Sequence, residues 1–123
     1  MKYPSFKKLK ASFKASFDGL RTAHSEQTFQ LLCFCGFLAI VLMLILDLTV
    51  IERVIIVFLI VSVLGFELLN SQIEKILDFL EPNHDPRVKR IKDISAGAVL
   101  VVSLGAAIIG LLIFFPHFKD IIF

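Results

Sequence analysis

Three long runs of apolar residues dominate the chain, at residues 29–46, 50–69 and 94–115. Each is close to the ~20 residues that an α-helix needs to cross the hydrocarbon core of a bilayer. Charged residues are concentrated before the first run and between the second and third. The pattern predicts a single all-α membrane domain over residues 1–123, with three transmembrane helices and a polar connection at residues 75–93.

A different pattern precedes the first run. Phe6, Leu9, Phe13, Phe17 and Leu20 recur at spacings of three and four residues, which is the periodicity of an amphipathic helix. Lysines occupy much of the remaining surface of that helix. A basic side with aromatic residues opposite is typical of helices that lie in the membrane interface. We expect such a surface helix at residues 5–25, either as a plain anchor or with a role in admitting lipid.

Composition and charge support the membrane assignment. The chain has 123 residues, of which 57% are hydrophobic, and a soluble domain this small could not bury so much apolar surface. Lys and Arg cluster before the first run and at residues 87–92, so the positive-inside rule places the N-terminus and the 75–93 connection in the cytoplasm. The net charge of only +2 gives no indication of nucleic-acid binding.

Polar side chains continue down one face of the second span. Glu67, Asn70, Glu74 and Asp78 are spaced by three or four residues, so on a helix they form one polar stripe. An ionised carboxylate inside the hydrocarbon costs about 2.5–3.5 kcal/mol. The stripe therefore predicts a site that begins in the apolar span and emerges into water.

Further polar residues are expected at the same membrane boundary, namely Glu26 before the first span and Lys92 and Asp93 before the third. Mg²⁺ takes one or two carboxylates and completes its shell with phosphate and water, and a lysine can neutralise phosphate charge. A part-buried carboxylate can serve as a general base. These residue types suit phosphoryl transfer from a nucleotide to a membrane-embedded group, although the chain has no Walker A or Gly-rich kinase loop.

Two alternatives remain open on the residue pattern alone. The acids could hydrogen-bond between subunits of a non-enzymatic oligomeric bundle, or they could line a proton or cation pathway. Cys33 and Cys35 point in different directions on a helix and lack metal-ligand spacing. We interpret them as small apolar side chains, and His24 and His117 as incidental polar residues.

The chain resembles the small prokaryotic lipid kinases, the diacylglycerol kinase and undecaprenol kinase family. Residues 66–74 read FELLNSQIE and match the family's E-x-x-N-S-x-x-E signature in full, with Asp78 following. Residues 90–100, RIKDISAGAVL, resemble the lysine–aspartate segment that opens the family's third span, and residues 19–21 and 26–29 also fit. The loop at residues 82–86 departs from the pattern, because it reads PNHDP where the family commonly has Pro-Glu-Tyr-His-Pro.

The resemblance implies a homotrimer of three-span protomers, each with an amphipathic surface helix, and active sites shared between neighbours. It implies phosphorylation of a lipid alcohol in the bacterial inner or cytoplasmic membrane, with ATP as donor and Mg²⁺ as cofactor. The acceptor would be diacylglycerol, giving phosphatidic acid, or undecaprenol, giving undecaprenyl phosphate. The site residues carried over are Glu67 as catalytic base, Glu26 and Glu74 as metal ligands, and Asn70, Lys92, Asp93 and Lys8 as nucleotide-binding residues.

Overall fold

The chain forms four α-helices in a computed structural model that describes residues 5–123. They are α1 (Phe6–Ala23), α2 (Gln27–Ile45), α3 (Val50–Leu80) and α4 (Pro86–Ile122). By length and composition, α2, α3 and α4 are each able to cross a membrane. The predicted all-α architecture is confirmed, and three of the helices are long and apolar enough to span a membrane. Lys2, one of the basic residues used to orient the chain, lies outside the described residues.

Local capping signals set the helix starts. Ser5 caps α1 through its side chain, and Thr49 and Glu52 form a reciprocal capping box at the start of α3. Asp85 caps α4, whose first residue is Pro86, a position that needs no backbone N–H donor. These signals confine the connections between helices to residues 24–26, 46–49 and 81–85.

Both later helices extend well beyond their apolar runs. Helix α3 has 31 residues and α4 has 37, which correspond to about 46 and 55 Å at 1.5 Å per residue. A hydrocarbon core is about 30 Å thick. The 75–93 connection is therefore helical except at residues 81–85, and it carries the polar ends of α3 and α4 beyond the apolar core as rigid extensions.

Helix α3 is the centre of the bundle, because it packs against both α2 and α4. The buried core lies at the end of the bundle farther from Glu67 and consists of Leu46, Leu48, Ile56 and Ile113. Many other large side chains stay exposed in the protomer, such as Phe58 at 69%. Such exposure would be costly in water but is expected for surfaces that face lipid or a neighbouring subunit.

Gly36 marks a close approach between α2 and α3. A Cβ atom at this position would lie 3.1 Å from the Cγ2 atom of Ile60, which is tighter than ordinary van der Waals contact. Small residues allow membrane helices to approach closely. The contact therefore sets the distance between α2 and α3 at Gly36. This position lies ten residues after Glu26 in the chain.

Candidate functional site

The buried polar side chains among the described residues lie together on α3. Glu67 is 6% exposed and Asn70 is 9% exposed, and Ser71 is buried beside them. Burying an unpaired charge or polar group is unfavourable unless it gains partners. The protomer therefore retains a polar site at the point where α3 leaves its apolar run.

Helix α2 brings Glu26 to this part of α3. Glu26 is the N-cap residue of α2, yet its side chain makes no capping hydrogen bond to its own helix. Its carboxylate instead accepts hydrogen bonds from Lys75 Nζ and Ser71 Oγ. The Lys75 ammonium, and after it the Ser71 hydroxyl, hold the pKa of Glu26 below its ordinary value.

The two residues that contact Glu26 lie beside the predicted polar stripe of α3. At about 100° per residue, Ser71 and Lys75 lie at one edge of the face that carries Glu67 and Glu74. Ser71, which donates to Glu26 of α2, lies four residues after Glu67 and three before Glu74 on this face. Acids from α2 and α3 are thus brought together within one protomer.

Asn70 has an unused hydrogen-bonding atom. Its amide nitrogen donates to Glu74 Oε1 at 3.5 Å. Its Oδ1 atom is buried and has no hydrogen-bond partner among the described residues. Buried polar atoms are nearly always paired, so this oxygen is available to accept a hydrogen bond from a bound molecule.

Helix α4 contributes Lys92, which forms an ion pair with Asp78 of α3. The neighbouring Asp93 pairs within its own helix, with Lys89 Nζ at 2.8 Å, and this hydrogen bond raises the pKa of Lys89. Lys92 therefore reaches the lower end of the stripe, whereas Asp93 lies on an exposed face of α4. The structure adds Ser71, Lys75 and Lys89 to the neighbourhood predicted from the sequence.

Two predicted features, Lys8 and the loop at residues 82–86, make no hydrogen bond with the polar stripe among the described residues. Lys8 lies on the exposed surface of α1, and the described residues show no contact between its side chain and the acids of α3. Asp85, in the loop that departs from the family pattern, caps α4 by accepting from Arg87 N at 2.8 Å. The Arg87 side chain also holds the pKa of Asp85 below its ordinary value. In this chain, the departure from the family pattern therefore supplies the N-cap of α4.

The donor set fits Mg²⁺ bound together with a phosphate group. Among residues 5–123, no three His, Cys, Asp or Glu side chains are arranged to hold a metal by themselves. Mg²⁺ seldom requires such a cage, since it usually takes one or two carboxylates and keeps water and phosphate ligands. Glu26 and Glu74, with the unpaired Asn70 Oδ1 nearby, supply oxygen ligands of that kind.

An apolar cavity lies beside the buried core, and Leu64 is the residue of its lining that comes nearest to Glu67 along α3. The cavity has a volume of about 340 Å³ and opens between α2, α3 and α4, where Gly36, Ile60, Leu64 and Phe114 contribute to its lining. Leu64 is one helical turn before Glu67. The apolar lining of the cavity and the carboxylates of the stripe thus follow one another along α3.

This architecture combines three helices able to cross a membrane with a buried polar site on α3. A sequence model of the prokaryotic diacylglycerol kinase family matches residues 14–114. The chain is similar to the undecaprenol kinase of Bacillus subtilis (strain 168), with 40% identity over 77% of each chain. It is also similar to the diacylglycerol kinase of Escherichia coli (strain K12), with 32% identity over 84% of this chain and 85% of the relative.

The chain therefore belongs to the prokaryotic diacylglycerol kinase family and is a lipid kinase of a bacterial membrane. The family resemblance drawn from the E-x-x-N-S-x-x-E signature is confirmed. Family membership favours an enzyme over the non-enzymatic bundle and the ion pathway.

Proposed function

We propose that the protein transfers the γ-phosphoryl group of ATP to the hydroxyl of a membrane lipid alcohol, with Mg²⁺ as cofactor. The observation that carries this proposal is the burial of Glu67, at the point where the apolar run of α3 meets the polar stripe. Glu26 and Lys92 approach that stripe from two other helices. A lipid hydroxyl and a water-soluble phosphate donor can meet at such a boundary.

Glu67 is the proposed general base. The substrate hydroxyl would lie at Glu67, with the hydrocarbon chain along the apolar run of α3 that ends there. The carboxylate accepts the hydroxyl proton while the lipid oxygen bonds to the γ-phosphorus and the bond to the ADP oxygen breaks. A positioned base contributes about 10²–10⁴-fold to the rate of such a step.

The remaining side chains bind and position the donor. Glu26 and Glu74 would hold Mg²⁺, which neutralises charge on the phosphates during transfer. Lys92 exchanges Asp78 for a phosphate oxygen, and Asn70 Oδ1 accepts a hydrogen bond from the bound donor or its water. Asp93 is also a proposed nucleotide-binding residue, although it lies on the exposed face of α4 and is paired with Lys89 in the protomer.

We also propose that α1 lies in the membrane interface at the cytoplasmic face, which makes the N-terminus cytoplasmic. Its aromatic side chains are exposed in the protomer, Phe6 and Phe17 among them, and its lysines would contact anionic headgroups. The basic residues at 87–92 place the α3–α4 connection on the same side. Cysteine labelling at residue 84 in sealed vesicles checks this orientation.

The assembly proposed is a homotrimer with sites completed by neighbouring protomers. Lys8 would then serve the site of a neighbour, since among the described residues its side chain makes no ion pair with the stripe of its own chain. Native mass spectrometry should give the mass of three chains. Mixing Lys8→Met and Glu67→Gln protomers should give more activity than either parent alone, whereas an unchanged rate in confirmed mixed trimers would assign each site to one chain.

Transfer of labelled phosphate from ATP to lipid in mixed micelles tests the function. We expect a lipid phosphate product that requires Mg²⁺, with undecaprenol used better than diacylglycerol, because identity to the undecaprenol kinase is higher. A bundle or an ion pathway would give no such product. Absence of product with both alcohols would contradict the proposal.

A further inference from the structure

Lys75 is a charged residue of the site, and it has no role in the reaction proposed above. Its ammonium binds Oε1 of Glu26, while Ser71 donates to Oε2. Both oxygens of this carboxylate are therefore satisfied by protein groups. The Lys75 side chain is 55% exposed, whereas that of Glu26 is 23% exposed.

A divalent cation at Glu26 would need the oxygen that Lys75 occupies. An ammonium group and a metal ion cannot share one carboxylate oxygen without strong charge repulsion. Lysine carries its charge on a flexible stem, and the exposure of Lys75 lets the ammonium move into water. Ser71 would still hold the other oxygen, so Glu26 stays in place when Lys75 leaves.

We propose that Lys75 is a built-in counter-ion of Glu26 that competes with the divalent cation and so sets the metal requirement of the enzyme. This inference rests on the proposed function, in which Glu26 and Glu74 hold Mg²⁺. Lys75 acts through Glu26 and is a positioning residue.

Removal of the ammonium should therefore strengthen metal binding. Lys75→Met keeps the length of the side chain but removes its charge and frees Oε1 of Glu26. A partly exposed ion pair is worth up to about 1 kcal/mol, so we expect about two- to fivefold tighter binding of the divalent cation. Lys75→Arg keeps the charge and should bind metal like the wild type.

The experiment measures Mn²⁺ binding to purified protein in detergent micelles by electron paramagnetic resonance, with a non-hydrolysable ATP analogue present to supply phosphate ligands and with no lipid. The matched control is Lys119→Met, which removes an exposed lysine near the far end of α4. We expect tighter Mn²⁺ binding for Lys75→Met only. The same variant should reach half-maximal lipid phosphorylation at a correspondingly lower Mg²⁺ concentration.

Further variants separate the inference from the proposed function. If Glu26→Gln weakens Mn²⁺ binding but Lys75→Met binds no tighter than wild type, the role of Lys75 is overturned while the metal ligands stand. If neither Glu26→Gln nor Glu74→Gln weakens binding, the metal assignment itself fails, and the inference with it. Absence of bound Mn²⁺ in wild type and Lys75→Met alike also overturns it. Lys75→Gln repeats the test should the methionine variant fold poorly.

Discussion

Gly36 offers a direct test of the helix packing that positions the site. A Cβ atom at this residue would lie 3.1 Å from Ile60 Cγ2, so Gly36→Leu must push α2 away from α3 or force Ile60 from its rotamer. Overpacking of this kind typically costs about 1–3 kcal/mol. We expect the free energy of unfolding to fall by that amount, and Glu26 to be displaced from Ser71.

The assay is reversible unfolding by SDS in mixed micelles, followed by circular dichroism. Gly105→Leu is the control, because a Cβ atom at that glycine of α4 meets no atom within 4 Å. Adding Ile60→Ala to Gly36→Leu should recover a substantial part of the loss, since coupled neighbours interact by about 0.5–3 kcal/mol. Equal stability of Gly36→Leu and Gly105→Leu, with no coupling to Ile60, would refute the close approach.

Two further predictions concern the metal ligands and the N-cap of α4. Glu26→Gln or Glu74→Gln should raise the Mg²⁺ concentration needed for half-maximal activity, measured by metal titration, whereas replacing either cysteine by alanine should leave it unchanged. The Arg87 side chain holds the pKa of Asp85 below its ordinary value of 3.8, so the charged carboxylate stabilises the fold fully only well above pH 3.8. The SDS-unfolding difference between wild type and Asp85→Ala should therefore be constant above about pH 5 and shrink as the pH falls below 3.8.

The spans were predictable because their signal is summed over many residues. About 20 consecutive apolar side chains favour a membrane helix whatever their partners are. The helical extensions of α3 and α4 are less visible in the sequence, because residues 70–80 and 86–93 mix charged and apolar side chains. Their continuity depends on local capping by Asp85 and on the ion pair between Lys92 and Asp78.

The candidate site was predictable along α3 but not between helices. Helical spacing alone places Glu67, Asn70 and Glu74 on one face. The choice of Lys75 as the partner of Glu26 depends on the distance and rotation of α2 relative to α3, which the contact at Gly36 determines. The spacing of Lys75 four residues after Ser71 was the only local sign that both could meet one carboxylate.

The central claim is that Glu67 accepts the proton of the lipid hydroxyl during phosphoryl transfer. Single-turnover transfer from labelled ATP to lipid, compared between wild type and Glu67→Gln, tests it most directly. The Gln variant keeps nearly the same shape, so it should retain the SDS-unfolding midpoint and the oligomer while losing about 10²-fold or more in rate. A folded Glu67→Gln enzyme that transfers phosphate at nearly the wild-type rate would contradict the account.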